Sequence, residues 1–217
     1  MNMDTITTMF TPAQAAVITG LSLREVQKAI DNRVVPAKRS RQGKQIRRYL
    51  SQDALVCLHV GLKGLSLFPL ATRKRMITEI LKGPALRRVS PSLIVTVDLQ
   101  PSRRAILEAV KLLRKAESMV SSDPEVMSGA VVFKGTRVPV RQIALEVESG
   151  GTLEEILEDY PSVSREQADL ATLYMRAHPN AGRPKAWKSL PAYRGVPPFK
   201  VIQFDIPGLG ELNRKLA

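Results

Sequence analysis

Two helix-start signatures stand eleven residues apart near the N-terminus, Thr11-Pro12-Ala13-Gln14 and Ser22-Leu23-Arg24-Glu25. Each places a hydroxyl at a helix N-cap and an amide or carboxylate three residues later, so that two backbone N–H groups are satisfied reciprocally. Pro12 suits the first helical position, and Gly20 ends the first helix after Ala15, Ala16 and Ile18. In the second, Leu23, Val26 and Ile30 recur at helical spacing and turn Arg24, Gln27 and Lys28 outward. Two short capped helices joined by one glycine turn are therefore predicted, a helix-turn-helix.

After Pro36 the chain reads as a hairpin pivoting near Gln42-Gly43, with Ile46 inward and cations on both arms. Ser51 then caps a helix containing Ala54, Leu55 and Leu58. A helix fits the major groove of duplex DNA and cations on a flanking hairpin reach phosphates. The candidate DNA contacts are accordingly Ser22, Arg24, Gln27 and Lys28 on the helix, with Lys38, Arg39, Arg41, Lys44, Arg47 and Arg48 on the hairpin. The alternative is a merely solvated basic face.

TPAQAAVITGLSLREVQKAI followed by IRRYLSQDAL resembles the MerR-type winged helix-turn-helix, including its Arg-x-Tyr at Arg47 and Tyr49. The resemblance covers residues 10–60. It lacks the long dimerising coiled coil and sensor cysteines of metal- or drug-sensing members, so it does not imply effector sensing.

Charge divides the chain further. The formal total is +13, yet residues 1–60 carry +5, 61–120 carry +8, 121–180 carry −5 and 181–217 carry +5. A strongly basic chain is held near polyanions, and an acidic block between basic ones points to separate modules. In the basic middle, Ala71–Leu81 reads as helix, Leu93–Asp98 as strand and Pro101–Met119 as a longer helix with Ile106, Val110 and Leu113 on one face.

The acidic block begins at Ser122-Asp-Pro-Glu, passes a strand-like Ala130–Phe133 and continues as three helices. Pro139 opens the first and Gly150-Gly151 closes it, while Thr152-Leu-Glu-Glu155 and Ser164-Arg-Glu-Gln167 box the next two. Before them Lys134 and Arg137 flank Gly135, and Arg141 follows one turn into the helix. These three cations either meet phosphate or serve a local turn in which Arg137 is a salt-bridge partner. Glu154, Glu155, Glu158 and Asp159 read as a solvated helix start favoured by the helix dipole.

This segment, SSDPEVMSGAVVFKGTRVPVRQIALEVESGGTLEEILEDYPSVSREQADLATLYMRAHP, is similar along its length to the domain-of-unknown-function-433 antitoxin family, most specifically at Phe133-Lys-Gly-Thr-Arg-Val-Pro139 and Asp159-Tyr-Pro161. The resemblance implies a homeodomain-like helical fold and a VapB-type antitoxin role beside a PIN-like ribonuclease toxin of the VapC kind.

From Asn180 glycines and prolines punctuate a basic segment that keeps Trp187, Tyr193, Phe199 and Phe204. Such a segment orders on a partner rather than around its own core. Under the antitoxin reading these aromatics anchor the tail in a toxin, while Lys185, Lys188, Arg194 and Lys200 approach the carboxylates that hold the nuclease metal. The alternative is that the tail packs on its own chain or a dimer mate.

The expected fold class is mainly α: an N-terminal winged helix-turn-helix (1–60), a basic middle segment of helix, strand and helix (61–120), a three-helix homeodomain-like antitoxin domain with short β elements (121–179) and an extended toxin-binding tail (180–217). The chain has two histidines, one cysteine and no marked nucleophile, so neither catalysis nor a metal or cofactor is expected. With no apolar run of about 18 residues and no secretion signal, a cytoplasmic, nucleoid-associated place is expected. The expected partners are a double-stranded operator, the toxin and further copies of the chain, as a homodimer or a higher hetero-oligomer with toxin. Two rival readings are a stand-alone DNA-binding regulator whose tail mediates dimerisation, and an RNA-binding adaptor.

Overall fold

The computed structural model describes residues 9–42, 45–64, 68–83, 87–90 and 96–179, which are mainly helical with small sheets. The chain divides into two compact units, Met1–Leu113 and Arg114–Ala217.

The first unit starts with β1 (Met9–Phe10), α1 (Pro12–Thr19) and α2 (Leu23–Asp31), continues through the hairpin β2 (Lys38–Gln42) and β3 (Gln45–Ser51), and enters α3 (Gln52–His59). Both expected capping boxes form: Gln14 N donates to Thr11 Oγ1 at 3.3 Å, and Thr11 N to Gln14 Oε1 at 2.8 Å. Gly20 takes φ +64 at the end of α1, the left-handed conformation that a side chain resists. The three strands are antiparallel in the order β1-β3-β2, with Phe10 opposite Leu50 and both fully buried. The pairing of β1 was not expected, because two residues carry no strand period of their own.

A π-helical turn, Val60–Gly64, extends α3 towards α4 (Leu70–Lys82). A Cβ on Gly61 would stand 3.1 Å from Ile77 Cδ1, so glycine permits the close approach of α4. Met76, Ile77 and Ile80 bury the apolar stripe of α4. The strand pair β4 (Arg88–Val89) and β5 (Val97–Asp98) and the long helix α5 (Gln100–Ser118) follow. Arg103 Nη1 reaches Asp53 Oδ1 at 3.2 Å, tying α5 to the first turn of α3.

Residues 61–113 fall in the first unit and 114–120 in the second. The cause is geometric: α4 is amphipathic and needs α3 to cover its stripe. Of the expected strand Leu93–Asp98, residues 93–95 lie outside the described residues, and the strand recorded is Val97–Asp98.

The second unit holds the end of α5, the antiparallel pair β6 (Val120–Ser122) and β7 (Val131–Phe133), and the helices α6 (Val140–Ser149), α7 (Leu153–Asp159) and α8 (Arg165–Ala177). Its core gathers Phe133, Val140, Ile143, Ile156, Val163 and Ala171. Thr152 and Ser164 form the capping boxes expected of them, and Gly150 ends α6 at φ +96. The acidic start of α7 is held internally: backbone and side-chain hydrogen bonds from Thr152 keep the Glu155 carboxyl below the ordinary carboxylate range, and Glu154 Oε1 accepts from Arg165 Nη2 at 2.8 Å. His178 closes α8, with Nε2 2.9 Å from Glu117 Oε1 and its ring stacked on Tyr174 at 4.6 Å.

Candidate nucleic-acid interface

The site begins with the orientation of α2. Ser22 N donates to Glu25 Oε2 at 2.8 Å, Ser22 Oγ donates to the same oxygen at 2.7 Å, and Glu25 N donates to Ser22 Oγ at 3.2 Å. The cap occupies the serine hydroxyl's proton and one lone pair, leaving one acceptor position for any outside contact. Val26, Ala29 and Ile30 are buried, and Arg24, Gln27 and Lys28 are exposed as the spacing required. Leu23 departs from the expected apolar face and is 39% exposed, because the first turn projects beyond the core.

In the hairpin Lys38 faces Tyr49, Arg39 faces Arg48, Ser40 faces Arg47 and Arg41 faces Ile46. Directly opposed residues share a face of a two-stranded ribbon and neighbours along a strand alternate, so Arg39, Arg41 and Arg48 lie on one face and Lys38 and Arg47 on the other. Lys44 lies outside the described residues. Ile46, expected inward, is instead 69% exposed: near its tip the ribbon has no second layer to bury against.

Like charges opposed across a ladder repel. The Arg39–Arg48 pair is relieved by Asp31, the last residue of α2, whose carboxylate pairs with Arg48. The ion pair also links the C-terminal end of α2, and with it the exposed helix face, to the cationic ribbon. Such an arrangement can lay a helix against a polyanion and place cations along its flank.

The second group of candidates sits in the other unit. Lys134, Arg137 and Arg141 are exposed, and Gly135 takes φ +80 with no atom within 4 Å of an added Cβ. Thr136 stabilises the turn, its hydroxyl donating to Phe133 O at 3.1 Å and accepting from Val138 N at 3.1 Å. No ion pair joins Arg137 to another described residue; it lines a pocket of about 650 Å³ with Ser121, Asp123 and Thr136. Lys185, Trp187, Lys188, Tyr193, Arg194, Phe199, Lys200 and Phe204 lie outside the described residues.

Two cations beside the hairpin escaped sequence reasoning, Arg33 after α2 and Lys74 on α4. Arg33 has φ +53, a conformation that no local residue pattern announced, and Lys74 joins through tertiary packing alone.

Among the described residues no helix is long and apolar enough to cross a membrane, and no three His, Cys, Asp or Glu side chains are grouped to hold a metal ion.

Fold and surface together define a mainly helical protein of two compact units, the first bearing an exposed cationic hairpin. Residues 120–175 match the family described as "Protein of unknown function (DUF433)". The chain is 30% identical over 210 residues to "Uncharacterized protein y4eO" of Sinorhizobium fredii (strain NBRC 101917 / NGR234), covering 88% of this chain and 90% of that protein. It belongs to the same family as that rhizobial protein. No solved structure matches it.

Proposed function

We propose that the chain is a sequence-specific DNA-binding antitoxin whose first unit is a winged helix-turn-helix of the MerR type. In this reading α2 enters the major groove, Arg24, Gln27 and Lys28 meet base edges or phosphates, and the hairpin cations hold the flanking backbone. The observation that carries the DNA half is the Asp31–Arg48 pair, which joins the helix with the exposed polar face to a hairpin of opposed cations.

The antitoxin half rests on the family resemblance and on the composition of the tail. The helices around Phe133 and Ile143 would form the homeodomain-like antitoxin domain, and residues 180–217 would bind and neutralise a PIN-like ribonuclease toxin. A dimer or larger oligomer on a pseudo-palindromic operator would repress its own operon, because paired half-sites multiply affinity. Such a protein would act in the cytoplasm at the nucleoid.

The test is binding of the full chain to duplex DNA from immediately upstream of its own coding sequence, followed by fluorescence anisotropy as salt rises. Affinity is expected to fall steeply between about 50 and 200 mM salt and to exceed that for a scrambled duplex. A change of less than about threefold over that range sinks the phosphate-contact reading.

A further inference from the structure

Three helices end with the same pair of backbone bonds. In α1 Leu21 N donates to Ala16 O at 3.1 Å and Gly20 N to Val17 O at 3.3 Å; in α6 Gly151 N donates to Glu146 O at 3.0 Å and Gly150 N to Val147 O at 3.2 Å. In α2 Val34 N donates to Ala29 O at 2.8 Å and Arg33 N to Ile30 O at 3.1 Å. The residue at the turn is left-handed in each, with φ +64 at Gly20, +96 at Gly150 and +53 at Arg33. Glycine serves the first two without steric penalty, whereas a Cβ makes this conformation costly for arginine. Backbone strain of this kind clusters at ligand clamps and other functional sites.

Arg33 lines a cavity of about 480 Å³ between α2, the base of the hairpin and α4. Its floor is apolar, with Val35 and Ile77 buried, and its other cations are Arg39, Arg48 and Lys74. Among the described residues no aspartate or glutamate lines it. Arg48 is partnered by Asp31, while Arg33, Arg39 and Lys74 have no ion-pair partner among the described residues.

We propose that this cavity binds a small amphipathic anion, its phosphate or carboxylate head held by Arg33 and the neighbouring cations and its apolar body laid on Val35 and Ile77. The volume is that of a small-molecule site, commonly about 300–1,000 Å³. A bare inorganic anion would leave the floor in contact with water, and an uncharged ligand would leave the cations unneutralised. Duplex phosphates meet cations on exposed surfaces and cannot fill an apolar floor. The inference goes beyond the DNA reading and is tested without DNA in the primary titration.

The full chain is titrated with 1-naphthyl phosphate by calorimetry, alongside inorganic phosphate and 1-naphthol. Saturable binding about tenfold tighter than either control is expected, and Arg33→Gly should weaken it about fivefold. Because glycine relieves the left-handed conformation, the thermal midpoint of that variant should hold or rise. If it falls instead, Lys74→Gln on the exposed face of α4 carries the same expected loss. Absence of saturable binding, binding matched by inorganic phosphate, or equal affinity in wild type and a folded variant overturns the proposal. So does a variant that loses duplex DNA affinity while binding 1-naphthyl phosphate unchanged, which would assign these cations to nucleic acid.

Discussion

Asp31 at the end of α2 pairs with Arg48 on β3, and Arg48 stands directly across the hairpin ladder from Arg39. One carboxylate therefore offsets a repulsion between two guanidinium groups. Both partners are well exposed, 60% for the Asp31 side chain and 40% for Arg48, so water and salt screen the pair.

Asp31→Asn is accordingly expected to cost under about 1 kcal/mol, read from the urea midpoint at constant slope. At about 50 mM salt the same variant should bind duplex DNA about two- to threefold more tightly, since it adds net positive charge. A loss above about 3 kcal/mol would mean that the pair holds the hairpin in place rather than tuning its charge.

The helix and the hairpin should fail differently. Arg24→Ala and Gln27→Ala are expected to reduce discrimination between the operator and a scrambled duplex by about 1–3 kcal/mol. Lys38→Ala and Arg47→Ala should weaken both duplexes alike and lower the salt slope by about 1 each. Anisotropy titrations of both duplexes at several salt concentrations separate the two patterns, and a uniform loss from Arg24→Ala would place that side chain on phosphate.

Much of this site was legible because its determinants are local. The boxes at Thr11, Ser22, Thr152 and Ser164 are each written within four residues, and each forms. The hairpin cations were legible as a group, but the exposure of Ile46 was not, since alternation does not reveal whether a ribbon has a layer behind it. The Arg103–Asp53 contact spans 50 residues and leaves no local trace. Arg33 was illegible for the opposite reason: the local rule calls for glycine at such a turn, and this chain breaks the rule.

Cys57, the single cysteine, is fully buried in α3 with Sγ 3.9 Å from Ile77 O. Burial first, and the Asp53 charge second, push its thiol from 9.0 up to about 12, against a smaller opposing pull from Arg103. The native chain should therefore resist a thiol-specific disulfide reagent at about pH 8 and react only on unfolding. The unfolded chain loses this proton at a lower pH than the folded one. The associated stability is thus fully present below about pH 9 and falls between about 9 and 12, by up to about 1.4 kcal/mol per pH unit. Urea titrations across that window, with Cys57→Ala as reference, give this slope as their difference; coincident curves would show that the thiol ionises in place.

Gly135 separates backbone conformation from packing in the second unit. Its φ of +80 disfavours any side chain, yet an added Cβ would meet nothing within 4 Å. Gly135→Ala should cost only the conformational penalty, about 1–2 kcal/mol, whereas Phe133→Ala two residues earlier empties a core position and should cost about 3–5 kcal/mol. Equal losses in denaturant melts would mean that the turn is packed against something beyond its own unit.

The antitoxin half of the proposal stands or falls on residues 180–217, which carry seven basic and two acidic side chains after a segment of opposite sign. A chain ending at Asn180 retains the described helices and every candidate DNA contact. Tagged full-length and truncated chains should therefore differ in protein capture from native host extract while binding operator DNA through the same module. Recovery of a small PIN-like ribonuclease by the full chain alone, identified by mass spectrometry, would assign the tail its toxin. Recovery by both would move the toxin contact into the helical unit. Recovery by neither, with DNA affinity intact, would remove the antitoxin role and leave a stand-alone regulator whose tail serves assembly.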